Sequence, residues 1–92
     1  LLTFASAKAL TPDEDAIIVA ANMLNASYAA GLGSCWIHRS KQMFESEEGK
    51  KLKAEFGIAE DGYCMSSIAL GYADCEQPEA KPRKENYYRI IK

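Results

Sequence analysis

Residues 11 to 15, "TPDED", open the longest periodic segment of the chain, and few conformations suit them. Thr11 has the side chain of a helix cap, Pro12 suits the first helical position, and Glu14 stands three residues after Thr11 as a capping-box partner. Asp13 and Asp15 put negative charge where a helix dipole is positive. From there Ala16, Ile17, Ala20, Ala21, Leu24, Tyr28 and Gly31 recur at steps of three and four, the period of a helix face. Small residues dominate this stripe, which predicts close approach of another helix or a sheet. Gly31 and Gly33 are both candidates for the left-handed residue that ends the helix.

The segments on either side are shorter. Leu1 to Ala7 reads as a strand, "SCWI" (34–37) as another, and "HRSKQMF" (38–44) as a polar loop. A second helix is predicted from Glu47 to Phe56, with Ser46 as cap, Gly57 past its end, and Glu47 paired with Lys51 at the i,i+4 spacing. Residues 63 to 72, "YCMSSIALGY", predict a mostly buried strand closed by Gly71. The last 20 residues carry two of the three prolines and alternate in charge. They predict an extended arm over 76–92, whose Tyr87, Tyr88, Ile90 and Ile91 need a cover. Two helices and three short strands make an α+β chain with little core. Exchange of the arm with a second subunit is the packing solution it suggests.

Composition narrows the function classes. At 92 residues the chain is one small domain or part of a larger one, and a core of this size is marginal. It begins with Leu, in what reads as a strand entered part-way, so a fragment or a processed product is expected, a single partial domain over 1–92. A net charge of -2 argues against nucleic acid or an anionic membrane as partner. No apolar run reaches the roughly 18 residues of a membrane span and no signal peptide is visible, so a cytoplasmic location is expected. Three cysteines without tight spacing point to reduced thiols, with Cys35 and Cys64 acting as small buried hydrophobes.

"GLGSCWIHRSK", residues 31 to 41, gathers two glycines, a cysteine, the only tryptophan, the only histidine and an arginine. A dinucleotide loop would need a third glycine where Trp36 stands, and its glycines would precede a helix instead of following one. Zinc would want a second close ligand pair beside Cys35 and His38, and a Cys–His nucleophile would want a third, orienting residue. The glycines read as a helix end and turn. His38 and Arg39 form either a solvated loop or a loop whose polar groups face a ligand. "KPRK" (81–84) places Lys81 and Arg83 on one side of an extended segment, as solvated charge or as a pair reaching one phosphate. Residue chemistry alone leads to part of a small α+β domain with a phosphate-bearing ligand as one option.

The order of segments adds more. "NMLNASYAAGLGSCWIHRSKQMFESEEGKKLKAEFGI", then "SIALGYA", then "KPRK", resembles the C-terminal half of the FMN-dependent nitroreductase family, from about Leu1 to Lys92. "GLGSCWIHR" is similar to its bacterial and archaeal branch. The resemblance implies an α+β nitroreductase-like fold, a homodimer with swapped arms, and FMN held at the dimer interface. It sets Trp36, Ile37, His38 and Arg39 beside the flavin ring, with a backbone N–H on its reactive nitrogen, and Lys81 and Arg83 on the FMN phosphate. A histidine over the ring would tune the site through its own protonation. The implied activity is an NAD(P)H oxidoreductase passing electrons through FMN to nitroaromatics, quinones or similar small acceptors, with no catalytic side chain and no metal. The arginine-rich phosphate-binding segment of the family's N-terminal half has no counterpart here. The alternative is therefore a non-catalytic interaction or dimerisation domain of the same ancestry that does not hold FMN alone. A reductive dehalogenase-like or flavin-destroying member is a third reading.

Overall fold

A computed structural model describes residues 1–92. In chain order its elements are β1 (Leu2–Ser6), α1 (Pro12–Ala29), β2 (Gly33–Ile37), α2 (Ser40–Glu45), α3 (Glu47–Glu55) and β3 (Gly62–Gly71). The three strands make one antiparallel sheet in the order β1-β3-β2, so the last strand in sequence lies between the other two. Helix α1 packs on one side of this sheet and α2 on the other, with α3 against α2.

Both long helices end as their glycines predict. Gly31, at φ +74°, donates its N–H to the Tyr28 carbonyl, and Leu32 donates to Ser27. Gly57, at φ +68°, repeats this with Ala54, while Ile58 donates to Lys53. These are two Schellman motifs, in which a left-handed residue lets the chain satisfy the last helical carbonyls. Gly33 belongs to β2. At the start of α1, Pro12 takes the first turn, but the capping box does not form. The Thr11 hydroxyl goes to the Asp15 carboxylate at 3.2 Å instead of to a backbone N–H. Ser46 caps α3 as predicted, accepting from the Gly49 N–H at 3.1 Å. The Glu47 carboxylate takes Lys50, at i,i+3 and 2.8 Å, in place of Lys51. That exposed pair lowers the Glu47 pKa and raises that of Lys50, chiefly through the hydrogen bond.

Segment 38–44, expected as a loop, contributes most of α2. Six residues are too few to show a helical period. Only Ser40 and Phe44, four apart, are buried on its inner face, and the Phe44 ring meets Phe4 edge-on at 5.2 Å. The apolar stripe of α1 is also narrower than its spacing suggests. Ala16, Ala20 and Ser27 are buried, whereas Ile17, Ala21 and Tyr28 are exposed, because only one row of small side chains lets the helix settle on the sheet.

Much apolar surface stays open. The chain exposes 7944 Å², against about 5,300 Å² for a compact protein of its mass. Its radius of gyration is 16.6 Å where about 12 Å is usual for this length. Residues 73–92 account for part of the difference, as they are exposed and outside any helix or strand, with a turn at Glu85 and Asn86.

Two outcomes follow from this packing. A Cβ on Gly49 would meet the Met43 carbonyl oxygen at 2.1 Å and Phe44 Cα at 2.5 Å. Gly49→Ala is therefore expected to destabilise by ~1–3 kcal/mol, overriding the ~1 kcal/mol that alanine adds to a helix, as denaturant unfolding would measure. The Tyr63 hydroxyl donates to the Asp13 carboxylate, and this bond, helped by burial and by the charges of Asp13 and Glu14, holds its pKa above the ordinary value. A raised pKa stabilises the fold below the unfolded value of about 10 and loses that effect as pH rises through the folded value. Tyrosinate absorbance should show one late step, missing in both Tyr63→Phe and Asp13→Ala.

Candidate functional site

Strand β2 carries the chain to the edge of the sheet, and its last residues divide between the two faces. Trp36 pairs in register with Ile68 and closes a wholly apolar hollow of about 160 Å³ formed with Ile17, Ala20, Ala21 and Leu24 of α1. It remains 44% exposed. Ile37 pairs with Ser67 on the α2 side and is exposed to a similar degree. His38 and Arg39 then make a two-residue turn into α2, and the imidazole lies with its centre 5.4 Å from that of the Trp36 ring.

Trp36, Ile37, His38 and Arg39 are thus contiguous and solvent-facing. The backbone N–H groups of His38 and Arg39 lie between elements, and neither donates to any group of the chain. Two consecutive free donors beside a half-exposed indole and an imidazole suit a flat aromatic ligand with hydrogen-bond acceptors on its rim. The fold holds this turn from behind. Ser40, buried at the start of α2, donates its hydroxyl to the Ile37 carbonyl at 3.3 Å and is hydrogen-bonded to the hydroxyl of Ser67. Sequence reading expected a backbone N–H in this segment to face a ligand but missed this anchor. The available signal was the i,i+4 pair Ser40 and Phe44.

Lys81 and Arg83 lie on the extended arm, exposed, and neither forms a salt bridge. No hydrogen bond joins them to the 36–39 turn. Cys35, expected to be buried, is exposed, because β2 is an edge strand with nothing over its outer side. Cys64 is buried at 1% exposure, and burial pushes its thiol pKa up. Asp61, near the end of β1, has its pKa lowered, first by the Ser6 hydroxyl that donates to it. No helix is long and apolar enough to cross a membrane.

The sequence model of the nitroreductase family matches residues 4–72, and the chain belongs to that family. In the solved structures it is similar to a nitroreductase of Bacteroides fragilis NCTC 9343 crystallised with bound FMN, at 23% identity and a TM-score of 0.82. That likeness covers 97% of this chain and 48% of the other, so the chain has the α+β fold of about half of that protein. No curated protein matches. The turn 36–39 lies inside the family match, whereas Lys81 and Arg83 lie beyond it.

Proposed function

We propose that this chain forms part of an FMN-dependent oxidoreductase of the nitroreductase type, taking electrons from NAD(P)H and passing them to nitroaromatic, quinone or similar acceptors. The observation that carries the reading is the pair of free N–H donors at His38 and Arg39, flanked by Trp36, in a fold shared with an FMN-bound nitroreductase. When bound, FMN supplies the hydride and electron chemistry.

The chain's own residues would bind and orient. The N–H groups of the turn donate to acceptors on the ring edge, and Trp36, Ile37 and His38 cover its rim and exclude water. Lys81 and Arg83, free of other ion pairs and two apart on an extended segment, neutralise the phosphate. No side chain is assigned a proton transfer.

No hydrogen bond ties the arm to the turn in its own chain, and a homodimer with exchanged 76–92 arms is the assembly that would unite them, in the cytoplasm. The exposed arm and the roughly 2,600 Å² of surface beyond a compact protein's favour such an assembly. They equally suit the second reading, a dimerisation domain without flavin.

Titration of FMN followed by visible absorbance separates the two. A saturable shift is expected, with affinity falling at least ~100-fold when Lys81 and Arg83 are both changed to Ala. A folded protein that gives no shift supports the dimerisation domain. Sedimentation equilibrium should give a dimer that dissociates when residues 76–92 are removed; a stable monomer of the intact chain would overturn the exchanged arm.

A further inference from the structure

The turn that presents the two free N–H groups is short, exposed and without contacts of its own on the solvent side. Its backbone geometry is therefore set from beneath, and the only side chain bonded to it there is Ser40. Resting on the flavin reading above, we propose that Ser40, braced by Ser67, is a positioning residue that fixes the His38 and Arg39 N–H groups for the ring of the bound cofactor.

The proton count of the hydroxyl pair supports a directed chain. Each hydroxyl has one proton to donate and lone pairs to accept. With the Ser40 proton on the Ile37 carbonyl, the Ser67 hydroxyl has a proton to give to the Ser40 oxygen, so both bonds can form at once. Ser67 sits on the central strand at the register position facing Ile37. The carbonyl before the turn, the first residue of the helix after it and the middle of the sheet are thereby tied at one point. Ser40 is 5% exposed, so water cannot readily replace its bond.

The sheet contains a matched control. Thr3 and Ser66 form another buried hydroxyl pair at 2.9 Å, with Ser66 fully buried, between β1 and β3 and away from the turn. Removing a hydroxyl from either pair should cost stability, but only one pair touches the turn.

The test is an FMN titration of the full protein carrying this chain, as wild type and as Ser40→Ala, Ser40→Thr, Ser67→Ala and Ser66→Ala, with emission of the sole tryptophan, Trp36, recorded before FMN is added. Ser40→Ala is expected to bind FMN about fivefold more weakly and to shift Trp36 emission in the ligand-free protein. Ser40→Thr should recover most of the affinity, and Ser67→Ala, which keeps the bond to Ile37, should lose about twofold. Ser66→Ala should unfold more easily yet bind FMN like wild type. Wild-type affinity in both Ser40→Ala and Ser67→Ala, or an equal loss in Ser66→Ala, overturns the positioning role while leaving the flavin reading intact. A folded wild type that does not bind FMN overturns both.

Discussion

At Met65 strand β3 carries one residue more than its partner β1, where the register shifts between Thr3 and Phe4. The extra residue lets two successive side chains, Met65 and Ser66, face α1. Met65 joins Ala5 and Ala16 there, and Ser66 bonds Thr3. On the near side of the bulge Cys64 pairs with Phe4 toward α2, and beyond it Ser67 points the same way to reach Ser40. Without the bulge the strand's alternation would run unbroken, and Ser67 would turn from Ser40 if Cys64 kept its place under Phe44. A single inserted residue thus aligns the apolar contact that seats α2 with the polar contact that anchors its entry turn.

The small side chains have a related consequence. Ala16 and Ala20 let α1 lie close to the sheet, but two methyl groups bury little area, and the larger residues of the helix, Ile17, Ile18 and Val19, stay exposed. A helix apolar on more than one side is built to be covered on more than one side. The hollow under Trp36 on one edge strand, the unpaired outer edge of β1 at the other and the arm are all open to solvent. The chain holds its shape through a narrow seam of contacts and leaves most of its large apolar groups exposed.

Local chemistry made much of this legible. The two Schellman glycines, the proline that opens α1, the serine cap of α3 and the run of β3 all announce themselves within a few residues, because caps and turns are satisfied by near neighbours. What stayed hidden depended on distant partners. Helix α2 exists because Phe44 finds Phe4, and Thr11 forsakes its cap because Asp15 is available. Gly49, a weak residue for a helix by propensity, is required because another backbone lies against it. Cys35 is exposed because the sheet ends at β2, which no local pattern states.

The candidate site divides in the same way. Sequence alone determined that Trp36, Ile37, His38 and Arg39 follow a helix end and a short strand, and that Lys81 and Arg83 stand two apart on the segment after β3. Chain connectivity and turn chemistry suffice for both. Only the tertiary structure decided that the His38 and Arg39 N–H groups are left free, that Ser40 joins the Ile37 carbonyl before them to Ser67 of the central strand, and that no hydrogen bond ties the arm to the turn. Those facts depend on which strands become neighbours and where the sheet has its edge, and long-range pairing sets both.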